Sequence, residues 1–295
     1  MRLNGLHLLL TYQCTYECDH CFVWGSPFQS GVMTLDQILS ILDQGLELGT
    51  VEWIYFEGGE PFLYYPVLVK AVQEANRRGF KVGLVTNAYW ATSLEDAHLW
   101  LNPFKGSVND LSVSSDVYHT SDSMKYLALN AQQATADLGI PYDVLRVAAP
   151  AASLDEADEG SNLMYRGRAT QKLANEADHH DWRQFDSCPY ENLTDPGRVH
   201  LDPLGNIHIC QGILMGNVFE ARLADIIGSY HPENHPIVGP IISGGPVELV
   251  HKYDLSHAET YADACHFCYQ ARQSLRTRYS DVLGPDQVYG IYSAS

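Results

Sequence analysis

Residues 6–21 read LHLLLTYQCTYECDHC. An apolar run from Leu6 to Leu10, interrupted by His7, passes into a loop that holds Cys14, Cys18 and Cys21. Residues 6–12 suit a buried strand, and the thiols behind it are spaced C-x3-C-x2-C. The same pattern repeats downstream. Residues 51–56 (VEWIYF) read as a strand that leads to Gly58-Gly59-Glu60-Pro61, and 80–86 (FKVGLVT) as a strand that ends at Thr86-Asn87. Residues 111–115 (LSVSS) lead to Asp116, and 142–149 (YDVLRVAA), which contain Arg146, read as a fifth strand. Helical periods lie between them. Thr34 and Gln37 resemble a capping box ahead of Leu35, Ile38, Leu39, Leu42 and Leu46, with Gly49 as the stop. Pro66 opens a helix that Gly79 closes, a short helix covers 94–101, and another runs from about Ser121 to Leu138. Strand–helix alternation predicts a parallel sheet with right-handed crossovers. Five or six such units make an α/β fold, a partial (β/α)6 TIM-type barrel rather than a closed eight-stranded one.

Each unusual polar cluster sits just after a strand: the cysteine loop, Gly58–Pro61, Thr86-Asn87, and Ser114 to Asp116. Ligands of parallel α/β sheets bind at the carboxyl ends of strands, so these clusters should meet at one site. Three thiolates on a short loop suit an iron–sulfur cubane with one open iron better than zinc, which takes four ligands in structural sites. Three buried cysteines or an incomplete zinc knuckle is the alternative.

With both motifs in view, the chain resembles the radical S-adenosylmethionine (SAM) superfamily over roughly residues 4–170. Its members carry C-x3-C-x2-C after the first barrel strand and Gly-Gly-Glu-Pro after the second, here Cys14, Cys18, Cys21 and Gly58, Gly59, Glu60, Pro61. The resemblance implies a [4Fe–4S] cluster on the three cysteines whose open iron chelates SAM. One electron then yields methionine and a 5′-deoxyadenosyl radical that abstracts a substrate hydrogen atom. It implies that Gly58–Pro61 hold the amino group of SAM, and that Thr86, Asn87, Ser114 and Asp116 contact SAM, with Ala88 and Val117 where relatives often have Gly. Arg146 is a carboxylate-binding candidate. Lys125 reads as a solvated cation, and Arg166-Gly167-Arg168-Ala169 as a segment near the site.

The remaining cysteines are Cys188, Cys210, Cys265 and Cys268. From Gly197 the pattern changes. RVHLDPLGNIHIC reads as a hairpin turning at 203–206, residues 228–246 look irregular, and a last helix runs from near Cys268 to Tyr279. The four cysteines resemble the auxiliary-cluster module called SPASM in its one-cluster, twitch-like form. That implies one auxiliary [4Fe–4S] cluster with a cysteine on every iron, serving as electron acceptor or relay; a structural zinc is the alternative. The expected division is residues 1–184 for the barrel and 185–295 for the auxiliary module. Arg272 and Arg276, one helical turn apart, read as surface arginines of an amphipathic helix, with a charge that tunes the auxiliary cluster as the alternative. His179-His180-Asp181 and His231-x3-His235 read as solvated loops, as does the acidic run from Asp155 to Glu159.

The chain has 18 basic and 36 acidic residues, a formal charge of −18. Such a surface repels phosphate backbones and anionic headgroups, so neither nucleic acid nor membrane is an expected partner. An odd count of seven cysteines argues against a disulfide framework, and no run of about 18 apolar residues occurs, so a cytoplasmic location is expected. Three and four cysteines use all seven, which leaves none to return a hydrogen atom as epimerases do. An oxidation or bond formation on a small molecule or a peptide is therefore expected, with a redox-neutral epimerisation as the alternative. Only 13 residues precede Cys14, too few for a leader-peptide module. By resemblance the electron donor is a flavodoxin or ferredoxin. A non-catalytic zinc or iron–sulfur scaffold would explain the cysteines but not Gly58–Pro61.

Overall fold

Five parallel strands begin the sheet: β1 (Gly5–Thr11), β2 (Trp53–Gly58), β3 (Lys81–Thr86), β4 (Asp110–Ser114) and β5 (Tyr142–Leu145). They come from a computed structural model that describes residues 1–119, 124–148 and 162–291. Helices α1 (Leu35–Leu48), α2 (Tyr65–Arg77), α3 (Leu94–Leu101) and α4 (Lys125–Leu138) link successive strands. The capping box on α1 is formed: Gln37 N–H donates to Thr34 Oγ1, Thr34 N–H donates to Gln37 Oε1, and Gly49 ends the helix in the left-handed region at φ 71°. Ile38, Ile41 and Leu42 then face Leu6 and Leu8 of β1 in the main core, all with no exposed surface. Each such side chain contributes about 1.5–3 kcal/mol by leaving water.

The sixth parallel strand lies beside β1 rather than β5. After α5 (Ala169–Lys172) and the two-residue β6 (His180–Asp181), strand β7 (Arg198–Leu201) pairs in parallel with β1, Gly5 opposite Arg198 and Leu8 opposite Leu201. Strands β8 (Asn206–Cys210) and β9 (Ile213–Asn217) extend the sheet antiparallel, in the order β5-β4-β3-β2-β1-β7-β8-β9. The expected hairpin is present, and the sheet runs unbroken across residue 185.

Residues 228–246 are not irregular as expected. They hold the end of α6 (Leu223–Ser229) and the first half of α7 (Val238–Tyr253). The sequence hides α7 because Gly244, Gly245 and Pro246 interrupt it, and two helical pieces meet at a kink there. The kink has a purpose in packing. Gly245 has φ 64°, and a Cβ on it would lie 2.3 Å from Ser187 N, so the kink seats the chain that leads to Cys188. The two-residue β10 (Thr260–Tyr261) pairs with β6, and α8 (Ala264–Leu275) begins four residues before Cys268. Its N-cap Asp263 accepts from His266 N–H at 2.7 Å, so Cys265 and Cys268 both lie in the first turns of the helix. Among the described residues no helix is long and apolar enough to cross a membrane.

Candidate functional site

Strand alternation decides what faces the barrel interior. On β1, Leu6, Leu8 and Leu10 point to the helices, which leaves His7, Leu9 and Thr11 on the other face. At the carboxyl ends of β1–β4 the loops enclose a cleft of about 360 Å³. Cys14, Cys18 and Cys21 line it, with Gly58, Gly59, Thr86 and Asn87, and with Ser114, Asp116 and Arg146 on the far wall. Polar clusters that span more than 130 residues of sequence thus share one cavity. Lys125 is exposed and Arg168 is fully buried; neither lines the cleft.

The cysteine loop is held from behind. Arg168 Nη1 donates to Cys18 O at 2.7 Å and Nη2 to Gly25 O at 2.8 Å, while Gly167 fits at φ 60° where a Cβ would strike Cys21 O. Three donors aim at sulfur: Tyr16 N–H and Asn87 Nδ2 at Cys14 Sγ (3.4 and 3.5 Å), and Gly25 N–H at Cys21 Sγ (3.2 Å). Burial pushes the Cys14 thiol up to about 12, with the Glu60 carboxylate adding to it, and raises Cys18 as well. Only a cationic partner would keep these sulfurs as thiolates. Tyr16 Oη and His20 Nδ1, both on the cleft wall, are buried with no hydrogen-bond partner among the described residues. The donor set, its spacing and these orphaned polar atoms fit a cluster with a polar ligand beside it.

Gly58-Gly59-Glu60-Pro61 lies backbone against backbone on the exit of β1. Gly59 N–H donates to Thr11 O at 2.7 Å and Glu60 N–H to Gln13 O at 2.8 Å. Gly58 stands at φ 129°, and a Cβ on it would meet Thr11 O at 2.5 Å. Glu60 and Pro61 lie behind the wall. Glu60 is fully buried, and its carboxylate accepts from Phe62 N–H, Thr86 Oγ1 and Asn87 N–H, so it fixes the next loop. Ala88, in place of the expected Gly, still adopts the left-handed region at φ 58°. Asp116 reaches the cleft, but its carboxylate already accepts from the backbone N–H of Tyr118, His119 and Val147 and sits 2.8 Å from His119 Nδ1.

The four later cysteines line a second, smaller cavity. Arg272 is the correction here: it is 2% exposed, not a surface residue. Its Nη1 donates to Gln211 O, Nε donates to Cys268 O at 3.3 Å, and its guanidinium packs over the Tyr269 and Tyr289 rings. Helical period alone cannot tell that β8 and the turn at 285–290 cover this face of α8. Arg276 is half-buried over Tyr289 and pairs with Asp286. Replacing Arg272 with Leu strands Gln211 O and is expected to cost about 2–4 kcal/mol. Lys, with the charge but no planar fork, should fall between. Urea midpoints of the two variants check the order. Arg166 stands between the cavities: it lines both, stacks on Phe22 next to Cys21, and places Nη1 3.1 Å from Glu191 Oε1 and 4.0 Å from Cys210 Sγ.

His179 and His180 are exposed, but His180 and Asp181 form β6, paired with β10, rather than a loop. His235 is not a solvated loop residue: its Nδ1 accepts from Ile237 and Val238 N–H at the start of α7. The run 155–159 lies outside the described residues. Sequence reading passed over His7, Glu57 and His200. His7 Nδ1 lies 2.8 Å and His200 Nε2 3.2 Å from Glu57 Oε1. The two imidazoles hold the Glu57 carboxyl well below the usual range, and burial lowers His200. The available signal was a polar residue at an interior-facing position of each of three apolar strands.

Residues 8–114 match the model of the Radical SAM superfamily, a span that includes the cysteine loop, Gly58–Pro61 and Thr86-Asn87. Over 86 residues the chain is 36% identical to a tungsten-containing aldehyde ferredoxin oxidoreductase cofactor-modifying protein of Pyrococcus furiosus, covering 29% of this chain and 24% of that one. Over 111 residues it is 27% identical to a Bacillus subtilis protein named for peptide biosynthesis, YydG, covering 37% and 35%. The matches thus span about a quarter to a third of these relatives' own lengths. Among solved structures, BtrN in complex with AdoMet and 2-DOIA superposes with a TM-score of 0.51 over 91% of this chain and 92% of that one, at 13% identity, and shares the fold.

Proposed function

We propose, on the premise that the chain carries a radical SAM domain over residues 8–114, that it is an enzyme that oxidises or forms a bond on a small molecule or a peptide by radical chemistry. The observation that carries this reading is the meeting of Cys14, Cys18 and Cys21 with Gly58, Gly59, Thr86, Asn87 and Ser114 around one cleft. Cys14, Cys18 and Cys21 would hold a [4Fe–4S] cluster there, and Cys188, Cys210, Cys265 and Cys268 an auxiliary one. Bound there, the first cluster and SAM supply a 5′-deoxyadenosyl radical, and the second a one-electron acceptor.

The chain's own residues set the stage for both. Arg168 fixes the cysteine loop, and Tyr16 N–H and Asn87 Nδ2 neutralise charge on Cys14 Sγ. Gly58 and Gly59 let the cofactor approach backbone, and Arg146 on the far wall offers a cation to a carboxylate. Arg166 and Arg272 place two buried positive charges beside the auxiliary cysteines, which favours an added electron there. A zinc scaffold fits less well, since it gives no role to the cleft that Gly58, Gly59, Thr86 and Asn87 line beside the cysteines. The use of all seven cysteines favours oxidation or bond formation over epimerisation. The name of the Bacillus subtilis relative supports a peptide, and the cleft volume equally admits a small molecule. An odd count of seven cysteines suits a reducing cytoplasm, with a flavodoxin or ferredoxin as donor and no role for nucleic acid at a charge of −18.

The test is anaerobic. Reconstituted protein should carry about eight irons and release 5′-deoxyadenosine from SAM under dithionite. A Cys18→Ala variant should keep about four irons and release none. A wild-type protein that holds its iron and leaves SAM intact would overturn the proposal.

A further inference from the structure

We propose that His7, Glu57 and His200 form a binding site for a first-row divalent cation, such as Mn2+, Fe2+ or Zn2+, on the wall of the cleft. The inference rests on these three residues and stands whether or not the SAM reading does. They come from three neighbouring strands, β2, β1 and β7. His7 is directly opposite His200 across β1–β7, and Leu9, two residues on, is opposite Glu57 across β1–β2. Side chains two apart on a strand share a face, so all three point to the barrel interior. Two imidazoles and a carboxylate with open positions are a donor set that first-row divalent ions favour.

The distances agree with that use. Ligands about 2.1 Å from an ion and at right angles to each other stand about 3.0 Å apart. His7 Nδ1 and His200 Nε2 lie 2.8 and 3.2 Å from the same Glu57 Oε1, and the three donor atoms lie within 4.8 Å of one another. Both rings sit on the same oxygen, and no hydrogen bond from a described residue to Oε2 accompanies them. The other histidine–carboxylate group, His20, Asp116 and His119, shows the contrast: Asp116 spreads its two oxygens over three backbone donors and one ring. The imidazoles are also placed independently of Glu57. Tyr55 stacks on His7 with centroids 4.6 Å apart, and Phe22 meets the His200 ring edge-on at 5.9 Å. A donor set held by its neighbours needs little reorganisation to take an ion.

Access is available too. The three side chains keep 14–17% of their surface exposed. Glu57 lines the main cleft, and His200 lines a smaller cavity that adjoins it at Phe22 and Arg166. An ion here would use three protein ligands and turn its open positions to the cleft, where a water or an oxygen or nitrogen atom of a substrate can bind.

The probe is Mn2+. The intact, cluster-loaded chain is freed of loose ions with a chelator and titrated anaerobically, and free Mn2+ is followed by its EPR signal. A single saturable site is expected, whose bound Mn2+ shows spin-echo modulation from two imidazole nitrogens. Glu57→Gln keeps the shape and should weaken binding about tenfold or more, and His200→Ala should remove one nitrogen from the modulation. Should His200→Ala fail to fold, the wild-type modulation and Glu57→Gln still decide. Binding without nitrogen modulation, binding unchanged in Glu57→Gln, or no saturable binding at all would each overturn the assignment.

Discussion

Gly59→Ala is expected to cost about 3–5 kcal/mol and to abolish SAM retention. The added Cβ would lie 2.0 Å from Gln13 O, 2.5 Å from Gln13 C and 2.8 Å from Tyr12 O. These are backbone atoms at the exit of β1, a strand paired on both sides by β2 and β7, so they cannot step aside. The loop must lift instead. Lifting breaks the bonds from Gly59 N–H to Thr11 O and from Glu60 N–H to Gln13 O, each worth about 1 kcal/mol. It also withdraws Gly58 and Gly59 from the wall of the cleft. A matched control is Gly49→Ala at the end of α1. There φ is 71° but nothing lies within 4 Å, so only the backbone preference is lost, about 1–2 kcal/mol. Urea unfolding and equilibrium dialysis with SAM on both variants check the contrast. Equal midpoints for the two would mean that loop and strand do not touch as described.

The sequence was most legible where a local rule and a global one agree. Thr34 with Gln37, and Gly49 at its turn, mark α1 because capping chemistry is local. The cleft was legible because ligands gather at the carboxyl ends of parallel strands, so motif order alone named its walls. What was lost depended on contacts that no window of sequence contains. The helix α7 disappeared behind Gly244-Gly245-Pro246, whose reason is the chain at Ser187 packed into the kink. Arg272 looked like a solvated residue because its cover is Gln211 and Tyr289, 61 and 17 positions away. His7, Glu57 and His200 sit on separate strands, and the parallel pairing of β7 with β1 that unites them joins residues 193 positions apart.

Glu60 connects the second motif to the third, and its replacement tests that connection through pH. Buried with no exposed surface, its carboxyl is raised to about 7 by desolvation, which outweighs the three hydrogen bonds it accepts. The folded protein therefore holds this proton more tightly than the unfolded chain, where the group titrates near 4.3. Its contribution is fully present below the unfolded value and is lost as pH rises through about 7, a fall of about 3–4 kcal/mol. Gln in its place does not titrate. Its nitrogen cannot accept, so either Asn87 N–H or the pair of Phe62 N–H and Thr86 Oγ1 faces a donor. The expected penalty of Glu60→Gln is about 2–3 kcal/mol at pH 5, and it should narrow towards zero by pH 8 as the wild type gives up its proton. Urea midpoints of both proteins at the two pH values measure this, and parallel curves would assign the raised carboxyl no part in stability. The site should register the change as well. Asn87, released from Glu60, would no longer direct its Nδ2 to Cys14 Sγ and Thr15 Oγ1. A thiolate that loses a donor makes its cluster harder to reduce, so at pH 5, where the wild-type carboxyl is also neutral, Glu60→Gln should lower the potential of the first cluster and leave the auxiliary one in place.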